Sequence, residues 1–360
     1  MQIPKYQKIA IAIKDKIIDG EYRAGTLLPT EKQLQVQYDV SRHTIRQAME
    51  ILVNDGFAVK RKGAGSYVSN AFLSKSSQKQ VKKIGVIVTY LSDYIFPSII
   101  RGIETVLREN GYSLILASTN NNHEEERRCL EMMLDQEVQG LIIEPTKSNT
   151  FNPNLSYYSL LKKKKIPTLM INARYEELNI PFISIDDTKS GFIATEYLLE
   201  HGHQDIALIT KIDDLQGKLR MKGYIKAFEE HDTVFKGEYI YTFSTESRNA
   251  VVNQVVEHIE MGTLDVTAIV CYNDEIAYDL NKKLRNIDYK IPEDISLIGE
   301  DNSILSRLED TLLTTTSHPQ EDLGMKAANW IVKAIQDGVE GDSIILDTSI
   351  IERNSVKALN

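Results

Sequence analysis

From residue 84 to about residue 302 the chain alternates short apolar runs with amphipathic helices, and it does so in two passes. "KIGVIVTY", "SLILAST" and "GLIIEPT" have the nearly unbroken apolar character of strands buried on both faces. Between the first two lies "PSIIRGIETVLRENGY", a helix with Ile99, Ile103, Val106 and Leu107 on one side and Gly111 as its stop. "HEEERRCLEMMLDQEV" is a second helix. "IPTLMIN", "PFISIDD" and the helix "KSGFIATEYLLEHG" complete the first pass. The rhythm restarts at "DIALIT" and continues through "EYIYTFS", "TAIVCYND" and "DISLIGEDN", with helices expected over 217–230, 246–261 and 275–286. Strand–helix–strand units repeated in this way predict an α/β body of two doubly wound parallel sheets. Ligands of such sheets bind beyond the carboxyl ends of the strands, so two facing halves create a cleft.

The residues that follow the strands are therefore the candidate ligand contacts. They include Ser92, Asp93, Tyr94 and Phe96 after the first strand, and Glu144 and Lys147 after the third. Asn172 and Arg174 follow "LMIN", and Asn273 and Asp274 follow "TAIVCY". Asp301 and Asn302 follow "ISLIGE", and His318 follows "LTTTS". Carboxylates and amides take hydroxyl groups in pairs, and an aromatic ring covers the C–H face of a sugar, so the mixture suits a small polyhydroxylated ligand. Nothing here argues for catalysis: the chain has no P-loop, HExxH, GxSxG or CxxC pattern. His201 and His203 bracket Gly202 at an expected helix end, where a histidine complements the helix dipole, so no metal site and no cofactor are expected. Cys129 and Cys271 read as small buried hydrophobes, Trp330 as core, and Lys162–Lys165 as a solvated helix face.

Charge divides the chain differently. Residues 1–83 hold 15 Lys/Arg and 7 Asp/Glu, whereas the remaining residues hold 27 and 44. A basic front on an acidic body attracts a polyanion at one end and repels it at the other. In that front, "KYQKIAIAIKDKIIDGEY" is an amphipathic helix with Ile9, Ala12, Ile13, Ile17 and Ile18 on its apolar side, ended by Gly20. Thr30 and Gln33 form a capping box for a second helix whose Leu34 and Tyr38 face inward. Ser41 caps a third, whose core stripe is Ile45, Ala48, Met49 and Leu52. Its other side carries Arg42, Arg46, His43 and Gln47. Arg42 lies in the first turn, where the macrodipole disfavours a cation, which points to an external anion. "GFAVKRKGAGSYV" then reads as a basic hairpin, with Lys60, Arg61 and Lys62 leading into Gly63-Ala64-Gly65. Two helices joined by a tight turn, an arginine-bearing second helix and a basic wing describe a winged helix-turn-helix, with Ser41, Arg42, Thr44 and Arg46 toward double-stranded DNA. Residues 70–83, "NAFLSKSSQKQVKK", read as a tether. The expected domains are 1–69, the linker 70–83 and the body 84–360.

Residues 5–69 resemble the GntR-family winged helix through "LPTEKQL", "VSRHTIRQAMEIL" and "GFAVKRKGAGSYV". The resemblance implies DNA contacts from Lys32, Ser41, Arg42, Thr44, Arg46, Lys62 and Gly63, a set to which Lys5, Glu31 and His43 are added as neighbouring candidates. Residues 84–355 resemble the LacI-type, periplasmic-binding-protein-like effector domain through "RMKGYIKAF", "HGHQDIALI", "CYNDEIAYDL", "IPEDISLIGEDNS" and "LTTTSHPQEDLG". That likeness implies effector contacts from Arg220, Asn273, Asp301 and His318, beside Asp93, Tyr94, Phe96, Glu144 and Lys147. "GEDNS" stands where that family usually has "GYDDS", so Glu300 and Asn302 depart from it. The pairing of such a head with such a body is similar to bacterial arabinose repressors. It implies a homodimeric, sugar-responsive repressor released from its operator by L-arabinose, with another sugar or a nucleoside as the alternative effector. No run approaches the ~18 apolar residues of a membrane span and "MQIPKYQKIA" lacks an apolar signal core, so a cytoplasmic protein is expected.

Overall fold

A computed structural model describes residues 4–61, 64–69, 82–91, 94–308 and 312–359. The chain divides into two compact units, residues 1–81 and 82–360. Most of the expected linker, residues 70–81, lies outside the described residues.

In the first unit, α1 (Lys5–Ile18), α2 (Glu31–Tyr38) and α3 (Arg42–Asn54) precede a two-stranded antiparallel hairpin, β1 (Ala58–Arg61) and β2 (Gly65–Val68). Local signals set the helix ends. The Thr30 hydroxyl accepts from the Gln33 N–H, and the Gln33 side chain accepts from the Thr30 N–H at 2.8 Å. The Ser41 hydroxyl accepts from the Thr44 N–H at 3.2 Å. Ile45, Ala48, Met49 and Leu52 are buried against Ile9, Ile13, Ile17 and Leu34. On α1 the apolar side differs from the expected one: Ala10 is buried, Ala12 is half-buried and Ile18 is exposed. At about 100° per residue Ala10 lies about 60° round the helix from Ile13, whereas Ile18 lies about 140° away.

The second unit is two lobes, each with a six-stranded sheet. The N-lobe strands are β3 (Lys83–Val88), β4 (Ser113–Ser118), β5 (Gly140–Ile143), β6 (Thr168–Ile171) and β7 (Phe182–Ile185), joined by β13 (Ile344–Leu346). Their order is β13-β7-β6-β5-β3-β4, all parallel. The C-lobe holds β8 (Ile206–Lys211), β9 (Ile240–Phe243), β10 (Ala268–Cys271), β11 (Ser296–Glu300), β12 (Thr314–Thr316) and β14 (Ile350–Ile351). Their order is β14-β12-β11-β10-β8-β9, parallel except for the β12–β14 pair. Every residue of β5, β6 and β10 is buried, as a central parallel strand covered on both faces requires.

Helices α4 (Phe96–Glu109), α5 (His123–Asp135), α6 (Leu155–Lys163) and α11 (Gln320–Asp337) serve the N-lobe. Ile99, Ile103, Val106 and Leu107 pack with Trp330 and Ile331 of α11 on one face of its sheet. The Trp330 indole N–H donates to the Asp342 carbonyl at 3.1 Å. Helices α7 (Asp187–Glu200), α8 (Leu215–Glu230), α9 (Arg248–Glu260) and α10 (Asp274–Arg285) serve the C-lobe. Helix α7 thus belongs to the second lobe, not to the first pass of the sequence. It lies so close to α8 that a Cβ on Gly191 would stand 2.1 Å from the Arg220 carbonyl oxygen, and one on Gly223 2.1 Å from that of Thr188. The chain crosses between lobes three times: after β7, after β12 and after β13. Both cysteine thiols are buried. His201 ends α7, and His203 is buried between the Thr267 hydroxyl and the Lys357 carbonyl.

Candidate functional site

The exposed side of the first unit carries the expected DNA-facing set. Lys5, Lys32, Ser41, Arg42, His43 and Arg46 are exposed, and Thr44 is half-buried. The Ser41 and Thr44 hydroxyls are 2.9 Å apart, so each is already engaged with the other. Arg42 departs from the reasoning that left its anion external: its Nε donates to Glu31 Oε2 at 3.0 Å. Glu31 on α2 supplies the compensating charge from a neighbouring helix. The pair is solvated, with Arg42 73% exposed, so it is worth ~1 kcal/mol at most and yields readily to a phosphate. Arg61 stacks over Tyr67, 4.6 Å from the ring centre, joining the two strands of the hairpin. Lys62 and Gly63 lie outside the described residues.

In the second unit the strand ends of the two lobes converge on a cavity of about 360 Å³. Tyr94, Phe96, Glu144, Asn273 and Asp301 line it. Glu144 is buried: Oε2 accepts from the Thr89 N–H at 2.9 Å and from the Thr89 hydroxyl, and Oε1 accepts from Asn172 Nδ2 at 2.9 Å. Burial pushes its pKa up, against the pull of those hydrogen bonds. Asn273 caps α10, its Oδ1 accepting from the Ile276 N–H at 3.0 Å. Asp301 directly follows strand β11 and lies in the left-handed region, φ 91°, an uncommon conformation for a residue with a side chain. Its Oδ1 accepts from Arg220 at 3.0 Å, and its Oδ2 from the Tyr94 hydroxyl at 2.5 Å. Tyr94 comes from the N-lobe and Asp301 from the C-lobe, so this bond spans the cleft. Burial first, and the Asp301 charge second, hold the Tyr94 phenol far above its ordinary pKa.

Three expected contacts stand elsewhere. Arg220 lies behind the wall, 2% exposed, where Nε meets Asp187 at 3.0 Å and Glu300 at 3.1 Å and another nitrogen donates to the Tyr272 carbonyl at 2.6 Å. Lys147 sits at the rim and pairs with Glu246 of the opposite lobe at 2.5 Å. His318 is buried on the second crossing, outside the cavity wall, with neither ring nitrogen bonded to a described protein group. Burial lowers its pKa. Asp93 lies outside the described residues.

The wall also holds groups that strand-end reasoning missed. Lys211 is the last residue of β8, and Nζ lies 3.0 Å from Asp214 and 3.6 Å from Asp213. Burial opposes its charge, but the two carboxylates outweigh it and raise the pKa. Tyr272 donates to Asp214 at 2.7 Å and meets Phe243 edge-on. Arg248, the first residue of α9, pairs with Glu275 at 3.2 Å and Asp279 at 2.6 Å. Each cation in the wall, Lys211 and Arg248, thus has a carboxylate partner, and the cavity offers hydrogen-bonding groups, carboxylates foremost, beside aromatic faces.

Comparison with known proteins agrees with this construction. Residues 5–68 match the description "Bacterial regulatory proteins, gntR family", and residues 195–356 match "Periplasmic binding protein-like domain". The chain is 42% identical to the arabinose metabolism transcriptional repressor of Halalkalibacterium halodurans, over 98% of this chain and 96% of that one. It is 40% identical to the protein of the same name from Geobacillus stearothermophilus, over 99% of both. The structure of the transcription regulator CcpA of Lactococcus lactis superposes with a TM-score of 0.68 at 26% identity, covering 77% of this chain and all of that one. The lac repressor dimer bound to operator shares the fold, with a TM-score of 0.66 at 20% identity over 81% of this chain and all of that one. Full-length likeness at this level, with a gntR-type head and a periplasmic-binding-protein-like body, shows that the chain belongs to the family of arabinose metabolism transcriptional repressors.

Proposed function

We propose that this repressor holds double-stranded operator DNA through the α3 face and releases it when L-arabinose fills the cleft between the lobes. The observation that carries the reading is the cavity wall, in which paired carboxylates and amides from two lobes alternate with aromatic faces. Glu144, Asn273 and Asp301 are the hydroxyl-binding groups, and Phe96, Phe243 and Tyr272 cover the apolar face of the sugar. Ser41, Thr44, Arg42 and Arg46 meet the DNA, with arginine to guanine as the contact that reads sequence. The active species is a homodimer on two half-sites, because one small head makes few base contacts. Its partner being DNA, the protein works in the cytoplasm. Among the described residues no helix is long and apolar enough to cross a membrane.

Sugar and operator oppose each other by linkage, so each weakens the other's binding by one common factor. A gel shift on DNA upstream of the neighbouring genes, with and without L-arabinose, tests the reading. Release by L-arabinose supports it, and persistent binding at saturating sugar refutes it. Calorimetry with a panel of pentoses and nucleosides identifies the effector if another ligand binds more tightly.

A further inference from the structure

The N-lobe contains a buried carboxylate that neither the DNA face nor the cavity wall uses. Glu126, on α5, is fully buried and has no cationic partner among the described residues. Neutral donors surround it instead. Oε1 accepts from the Tyr158 and Tyr175 hydroxyls, both at 2.6 Å. Oε2 accepts from the side-chain amides of Asn152 at 2.9 Å and Asn154 at 2.8 Å. The donors hold both ends of one stretch of chain, residues 146–154. Asn152 and Asn154 are its far end. At its near end the Tyr175 oxygen accepts from the Thr146 N–H at 2.7 Å, while the Tyr175 proton goes to the carboxylate. Between these two anchors the stretch leaves its own lobe. Ser148, which lines the cavity, accepts from the Leu215 N–H at 2.8 Å, and Asn149 donates to the Ile212 carbonyl at 2.9 Å. Lys147 between them makes the Glu246 ion pair.

We propose that Glu126 is a positioning residue for the effector response: it clamps residues 146–154 at both ends and so sets the interlobe latch made by Lys147, Ser148 and Asn149. A carboxylate suits the task because its two oxygens accept four directed hydrogen bonds, and each of these buried donors is costly to leave unpaired. The effect on sugar binding rests on the reading of the cleft given above; the latch itself does not.

The test uses the full chain in three variants. Glu126→Gln removes the acceptor pattern. Tyr175→Phe cuts the link from the carboxylate to Thr146. Tyr158→Phe removes a donor from the same carboxylate without a bond to the rim. Amide hydrogen exchange is followed by NMR without ligand, and L-arabinose affinity by calorimetry. Glu126→Gln and Tyr175→Phe should speed exchange at least tenfold at Thr146 and at Leu215 on the opposite lobe. Both should weaken L-arabinose at least tenfold, with operator affinity in the absence of sugar within twofold of the parent. Tyr158→Phe should leave Leu215 exchange and sugar affinity within threefold. Unchanged Leu215 exchange in Tyr175→Phe overturns the proposal. So do equal effects of Tyr158→Phe and Tyr175→Phe that merely track melting temperature. If Glu126→Gln does not fold, Tyr175→Phe decides. If the parent chain does not bind L-arabinose, the effector reading fails and Leu215 exchange still decides the latch.

Discussion

Replacing Arg220 by methionine keeps much of the side-chain volume and removes the charge. In the parent, Arg220 faces Asp187, Glu300 and Asp301 at 3.0–3.1 Å, all within the core of the C-lobe. Removing one partner of a buried ion pair costs about 3–5 kcal/mol, and with three acidic partners the upper end applies. At about 2–4 °C per kcal/mol for a domain of this size, the melting temperature should fall by about 10–20 °C at pH 8. The deficit must depend on pH. Burial, opposed by Arg220, raises Asp187 to about 7 and Glu300 to about 8, above the values of an unfolded chain. Loss of the arginine moves both further up. The folded variant therefore holds more protons than the folded parent between pH 6 and pH 8, and by linkage its deficit grows as pH rises through that range. The deficit should be smaller at pH 6 than at pH 8. Circular-dichroism melts of parent and variant at pH 6, 7 and 8 measure it. A variant that melts within about 2 °C of the parent at pH 8, or shows the same deficit at pH 6, refutes the reasoning.

Arg46→Ala should weaken operator binding by roughly 1–3 kcal/mol if the residue reads a base, or lower the salt slope by about one if it meets a phosphate; gel shifts at several salt concentrations separate the two. Glu31→Gln should raise operator affinity less than about tenfold, since it frees Arg42 from a solvated pair worth ~1 kcal/mol at most. Asp274→Asn should flatten the pH dependence of stability. Burial, with Asp301 adding, raises Asp274 from 3.8 to about 7 against the bonds from Thr315 and Ser303. The folded state therefore holds a proton that the unfolded chain has lost, and stability falls as pH rises from about 4 to about 7. The variant should lose up to about 1.4 kcal/mol per pH unit of that slope, read by urea denaturation at pH 5, 6 and 7.

The head was legible almost residue by residue because its signals are local. The Thr30–Gln33 box, the Ser41 cap and the 45-48-49-52 stripe each lie within two turns of chain. The Arg42–Glu31 pair was not, since it joins two helices across eleven positions and no periodicity records it. In the body, strand-end logic found Tyr94, Phe96, Glu144, Asn273 and Asp301, all in the cavity wall. It missed Lys211 and Phe243 because each is the last residue of its strand rather than the one after it. The return of α11 and β13 to the N-lobe has no sequence mark either. Those elements are amphipathic against whichever sheet they reach, and only the three-dimensional path selects it.

The same limit explains Arg220. From the sequence it is one cation on a helix that could face either the cleft or the sheet. Its setting follows from the crossings. Asp187 begins α7 directly after the first crossing, and Thr316 ends β12 directly before the second. Ser190 Oγ lies 2.6 Å from Glu300 and 2.7 Å from Thr316, tying the two crossings to one carboxylate. Arg220 gathers that carboxylate together with Asp187 and Asp301, and Asp301 in turn receives the Tyr94 hydroxyl from the N-lobe. The buried charge cluster thus lies beside the crossings and behind the cavity wall at once. Tyr94 on the N-lobe is joined to Asp187, at the first crossing, through only two side chains, Asp301 and Arg220, a link that no sequence spacing records.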